Sequence, residues 1–107
     1  MNIASILKSI EEQSRDLAEK LFKQFAQEAL TDVKDFLRKS NAALGRWVQE
    51  LAHGEINQEE FKSLVEGQLE VTEMRALKQA GLAQVRIDLF VNGVLDIVFN
   101  AALAAIP

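Results

Sequence analysis

The chain has 107 residues, the length of one domain, and its composition of 49% apolar and 26% charged residues excludes an intrinsically disordered chain. The formal net charge is -4 and the basic residues are scattered among acidic ones, which argues against a nucleic-acid partner because phosphate binding needs a clustered basic face. The absence of cysteine excludes disulfides, thiolate metal ligands and cysteine nucleophiles and, with no signal-peptide pattern in residues 1–10, predicts a cytoplasmic location.

The first half of the chain has the pattern of an amphipathic helix. The only proline is Pro107, so no strong helix breaker interrupts residues 1–106. From Ile3 to Leu51, apolar residues recur at steps of three and four without a change of phase, which predicts a helix or a helix pair over residues 2–53. Thr31 and Asp32 are candidate cap residues, but no glycine or proline beside them forces a turn.

The clearest helix boundary lies at residues 53–57. Gly54 is placed to take the left-handed conformation that ends a helix. Asn57 is followed three residues later by Glu60, which is the pattern of a capping box at the start of a helix. The sequence therefore predicts a turn at 54–57, then a second helix or helix pair over 58–106, all within a single helical domain of residues 1–107.

Two all-α architectures fit this pattern. The first is a long antiparallel hairpin of two helices, each about 75 Å long, which assembles into a helical bundle with other copies. The alternative is a compact four-helix bundle with breaks near residues 31, 54 and 81. Gly81 is the natural site for the last break, although one glycine costs a helix only about 1 kcal/mol relative to alanine. The unbroken phase and the missing loop residues favour the hairpin.

Residues 82–106 are the most apolar part of the chain and contain only three charged residues, Arg86, Asp88 and Asp96. Polar side chains fall there at every fourth position, in a polar row formed by Gln84, Asp88, Asn92, Asp96 and Asn100. On a helix this row spirals slowly, because four residues exceed one turn. We expect the polar row to face water or polar partners, and the opposite half of the helix to be buried.

A helix this apolar must be buried on more than one side. The favoured prediction is an interface with a second copy, as a dimer or tetramer, or with another helical protein, and burial in the core of a bundle is also allowed. The predicted interface residues are Leu89, Phe90, Val94, Ile97, Val98 and Ala101. The alternative is a membrane, since residues 89–106 are just long enough to span one. Asp96 near the centre of that segment would cost about 2.5–3.5 kcal/mol on insertion and makes the membrane the less favoured environment.

One pair of residues has the spacing of a metal site, Glu50 and His53 in a Glu-x-x-His pattern. A complete carboxylate–histidine site would need a second copy of the chain and further glutamate ligands. The candidates for those ligands are Glu11, Glu12, Glu19 and Glu28. Because His53 is also explained as a residue at a helix C-terminus, where the dipole favours a partial positive charge, no catalytic, cofactor-binding or metal-binding residue is predicted.

The sequence as a whole predicts a non-enzymatic helical assembly or protein-interaction module that forms homo-oligomers. Two alternatives stay open. One is a membrane-active or tail-anchored protein that uses residues 82–106, and the other is a metal-binding bundle formed across a dimer.

Overall fold

The computed structural model describes residues 2–106, and in that range it is helical, without a β-strand. The all-α prediction is therefore confirmed. The helices are α1 (Ile3–Phe22), α2 (Ala26–Ala52), α3 (Gln58–Thr72), the short α4 (Arg75–Gln79) and α5 (Gln84–Ala105), with a 3-10 turn at Lys23–Phe25 between α1 and α2.

The four long helices form an up-and-down bundle. α1 packs against α2 and α5, and α3 packs against the same two helices, so each long helix has two neighbours. The short α4 lies across α2 and α5. The molecule measures 42 × 21 × 19 Å, which leaves no room for helices of about 75 Å. Of the two architectures that the sequence allowed, this is the compact bundle within one chain.

The first helix pair reverses direction at Lys23–Phe25. Lys23 has a φ of 26° and a ψ of -74°, and α2 begins three residues later. The break predicted near residue 31 is wrong, because Thr31 lies inside α2 and its hydroxyl donates to the Gln27 carbonyl oxygen at 2.9 Å. After the reversal, the apolar stripes of α1 and α2 face each other. The apolar pattern of the sequence keeps its phase across this turn, and no glycine or proline marks it.

The turn between α2 and α3 confirms the sequence prediction. Gly54 has a φ of 74°, its N–H donates to the Leu51 carbonyl, and the Glu55 N–H donates to the Glu50 carbonyl at 2.8 Å, which is a Schellman motif. The capping box also forms, since Asn57 Oδ1 accepts from the Glu60 N–H at 2.8 Å and Glu60 Oε1 accepts from the Asn57 N–H at 3.0 Å.

The chain between α3 and α5 contains one predicted break and one that the sequence did not reveal. Gly81 has a φ of 88°, and the Leu82 N–H donates to the Leu77 carbonyl, so a second Schellman motif ends α4 near the predicted position. The additional break lies at Glu73 and Met74, with φ values of 64° and 48°. Neither residue is a glycine, so tertiary contacts must hold this bend in place.

One continuous core runs through the bundle, and its largest fully buried side chains come from α1, α2, α3, α4 and α5. The rings of Phe22 and Phe90 meet edge to face, with centroids 5.3 Å apart, and join α1 to α5. The Leu17 side chain of α1 fills the space beside Gly93 on α5, because a Cβ at position 93 would lie 2.5 Å from Leu17 Cδ2.

Two serines are fully buried in this core. Ser40 Oγ accepts a hydrogen bond from Gln68 Nε2 at 2.9 Å, which links α2 to α3. Ser14 Oγ on α1 has no hydrogen-bond partner among the described residues. A buried hydroxyl without a partner keeps its desolvation cost uncompensated, so we expect the two serines to affect stability in opposite directions.

Candidate functional site

The inner face of α5 belongs to the core of the chain itself. Of the six predicted interface residues, Phe90, Val94, Val98 and Ala101 are buried within the bundle, and Ile97 is half-buried against it. The sequence correctly indicates that this face is covered, but the cover comes from the chain's own helices. Of the six, only Leu89 is exposed, with 59% of its surface accessible.

The outer face of α5 combines the polar row with exposed aliphatic residues. All five members of the polar row are exposed. Val85 is 79% exposed and lies one helical turn before Leu89. Val85 was not among the predicted interface residues, although the sequence contains a signal for it. At about 100° per residue, Val85 and Leu89 fall within the arc of roughly 160° that the polar row covers on the helix. Val85 and Leu89 together form the outer patch.

The end of the polar row nearest the α5 C-terminus is joined to α3 by charged and aromatic contacts. Lys62 Nζ lies 3.6 Å from Asp96 Oδ1 and 5.3 Å from the centre of the Phe99 ring. The Phe99 ring lies in turn 6.4 Å from that of Phe61. Asp96, the charged residue that would disfavour a membrane, thus has a cationic partner on the same surface.

A second pair of exposed aliphatic residues lies on α3. Val71 is 71% exposed and Leu64, two turns earlier on the same helix, is 38% exposed. The shallow cleft beside Leu64 is lined by Ile56 and by polar residues at the start of α3, without a buried titratable group. This α3 pair is less continuous than the outer patch and provides a matched surface for comparison.

One helix among residues 2–106 is long and apolar enough to cross a membrane. It is α5, with 22 residues and a mean hydropathy of 1.6 in its most apolar 18-residue window, of which 33% is buried in the bundle. This observation rests on length and composition, and a core helix of a soluble bundle meets the same criteria.

The residues with metal-site spacing lie near the turn that ends α2 and do not meet as ligands. Glu50 lies 3.7 Å from Arg46 Nε, whereas His53 is exposed and its Nδ1 lies 3.9 Å from Glu55 Oε1. Within residues 2–106, no group of three or more His, Cys, Asp or Glu side chains has a metal-binding arrangement. The Glu50–His53 pair is therefore incomplete within one chain.

Asp32 on α2 carries a buried carboxylate and is 4% exposed. Its Oδ1 accepts from the Ala76 N–H and its Oδ2 from the Leu77 N–H, each at 2.9 Å, so it caps the first turn of α4. Asp32 does cap a helix, as its residue type indicates, but that helix lies 44 residues further along the chain. Burial raises the pKa of Asp32 above its ordinary 3.8, the two backbone N–H groups lower it in part, and Asp35 raises it.

An open cleft lies beside Asp32. It is lined by Thr31, by Ala76 and by four charged residues, Lys34, Asp35, Arg38 and Arg75. Asp35 is paired with Lys39 at 3.0 Å and with Arg38 at 2.6 Å, and the hydrogen bond from Lys39 is the main cause of its lowered pKa. The acidic and basic groups of this cleft largely compensate one another, so it has the character of a solvated edge.

No family model, curated protein or solved structure matched this chain in the comparisons. The geometry therefore defines the class of molecule by itself. It is an up-and-down four-helix bundle with a short fifth helix across one end and an exposed aliphatic pair on its last helix.

Proposed function

We propose that the protein is a non-enzymatic helical interaction module that self-associates through the outer patch, Val85 and Leu89. The observation that supports this proposal is the exposure of two large aliphatic side chains one turn apart on the same helix. Apolar side chains grouped on a surface indicate association sites more strongly than the same residues scattered singly. A second copy is the proposed partner, because closed two-fold symmetry lets one patch cover itself.

The size of the outer patch sets the expected strength of this association. Full burial of a Val or Leu side chain contributes about 1.5–3 kcal/mol, so four such side chains in a dimer contribute at most about 6–12 kcal/mol. Association costs about 4–15 kcal/mol in translational and rotational freedom, and ordering of side chains adds to that cost. The two amounts are comparable, and we therefore expect a weak dimer whose population depends on protein concentration.

The test is sedimentation equilibrium of the full chain over a range from low micromolar to near millimolar concentration. We expect the mass to rise from 11.9 kDa toward twice that value. Val85→Ser with Leu89→Ser should abolish the rise, whereas the matched control, Leu64→Ser with Val71→Ser on α3, should leave it unchanged. A mass that stays at 11.9 kDa at every concentration, or a control that dissociates the dimer equally, would contradict the proposal.

The alternative function is membrane association through α5, and the apolar character of that helix is the observation that favours it. Insertion would require removing Phe90 and Val94 from the core and separating Asp96 from Lys62. A flotation assay with phosphatidylcholine vesicles separates the two functions. If the wild-type chain floats with the vesicles and Asp96→Leu increases the floating fraction, α5 is a membrane helix and the self-association proposal is wrong.

A further inference from the structure

The bend between α3 and α4 places two consecutive L-residues in the left-handed region. Glu73 has a φ of 64° and a ψ of -3°, and Met74 has a φ of 48° and a ψ of 52°. A Cβ atom makes this region unfavourable, and two such residues in succession without a glycine are uncommon. The bend therefore depends on interactions that the rest of the fold supplies.

Two kinds of interaction hold the segment after the bend against the bundle. The first is the buried Asp32 carboxylate, which accepts the Ala76 and Leu77 N–H groups at 2.9 Å each. The second is apolar burial, since Met74 and Leu77 are almost completely inaccessible to solvent. Both act between the segment and the remainder of the fold, so neither persists if the segment moves away.

The local sequence favours a different conformation for the same segment. Residues 68–80 contain neither glycine nor proline and consist mainly of good helix formers. The apolar stripe of α3 continues in phase through Thr72, Ala76 and Ala80. If α3 ran straight through Glu73, the Ala76 and Leu77 N–H groups would bond to the carbonyls four residues earlier and would no longer need Asp32.

We propose that residues 73–82 form a strap that closes one end of the bundle, with Asp32 as its latch and Glu73–Met74 as its hinge. In the closed state the hinge is bent and Asp32 caps α4. In the open state α3 and α4 join into one helix, which removes α4 from the surfaces of α2 and α5 on which it packs. Opening of the strap does not depend on self-association through the outer patch.

The test is amide hydrogen exchange of the full chain, followed by mass spectrometry of its peptides. Asp32→Asn replaces one of the two carboxylate acceptors by an amide donor, so exchange in residues 73–82 should be roughly tenfold faster, the factor that corresponds to about 1.4 kcal/mol. Peptides from the centres of α1, α2 and α5 should keep their wild-type rates. The matched control is Asp35→Asn, which removes a neighbouring carboxylate that accepts no hydrogen bond from α4.

A second variant shifts the same equilibrium in the opposite direction. Glu73→Gly relieves the left-handed strain of the closed state and weakens the straight helix of the open state, so exchange in residues 73–82 should slow by roughly fivefold. Glu73→Gln is its control, because it removes the charge that lies 3.5 Å from Arg75 but keeps the Cβ atom. The proposal is overturned if Asp32→Asn accelerates every peptide equally, or if Glu73→Gly does not slow exchange of the strap relative to Glu73→Gln.

Discussion

Substitution of Phe90 tests whether the inner face of α5 is part of the core or a subunit interface. Phe90 lies on the apolar side of α5, which could be covered either by the chain's own helices or by a partner. In the bundle its side chain is completely buried and its ring packs edge to face on Phe22 at 5.3 Å. Phe90→Ala should therefore destabilise the single chain by about 3–5 kcal/mol through lost burial and a residual cavity. The aromatic pair is worth about 0.5–1.5 kcal/mol beyond area burial and places the expected value in the upper half of that range.

The matched control is Leu89→Ala, one residue earlier and on the outer patch. Since Leu89 is already 59% exposed, its truncation should change the free energy of unfolding by no more than about 0.5 kcal/mol. The assay is urea unfolding followed by circular dichroism, at a protein concentration low enough to keep the chain monomeric. The assignment of the inner face to the core would be refuted if Phe90→Ala left the free energy of unfolding unchanged, or cost less than Leu89→Ala.

Three further predictions follow from the buried polar groups and the turns. Ser14→Ala should raise the free energy of unfolding by about 1 kcal/mol because it removes an unpaired buried hydroxyl. Ser40→Ala should lower the free energy of unfolding by about 1 kcal/mol because Gln68 loses its acceptor, and urea titrations of both variants measure the difference. Gly54→Ala should lower the free energy of unfolding by about 1 kcal/mol, and a higher melting temperature would show that the left-handed cap is unimportant. Because the folded-state pKa of Asp32 is raised, its protonation favours folding, and that contribution is lost as pH rises from 3.8 through the raised value. The wild type should therefore lose stability relative to Asp32→Asn over that interval. An opposite slope in unfolding titrations would contradict the assigned cause.

Local chemistry made some turns predictable and left others unmarked. Gly54 favours a left-handed conformation because it has no side chain, and the Asn57 side chain caps the next helix directly. The turn between α2 and α3 could therefore be located from the sequence. The bends at Lys23 and Glu73 occur in residues that prefer a helix and form only because distant segments pack together. Such bends are tertiary in origin, and the phase of the apolar stripe does not reveal them.

The candidate site was partly predictable for a related reason. The apolar face of α5 indicates burial, but a helical period carries no information on whether the covering helices come from the same chain or from another. Phe90 and Val94 were therefore predicted to contact a partner, whereas the chain's own helices cover them. Val85 could have been found from the sequence, because it is an aliphatic residue on the polar half of its helix.

The contact between α1 and α5 also affects the order in which the chain acquires its structure. Arg86 donates a hydrogen bond to the Leu21 carbonyl across 65 residues, and Phe22 and Phe90 close the same long loop. During synthesis α1 and α2 can pair as soon as both have emerged, since their contacts are close in sequence, but the groove for α5 stays empty until α5 is made. Until α5 is in place, the face of α1 that contacts Phe90 has no cover, and apolar surface left exposed in an incompletely folded chain promotes aggregation.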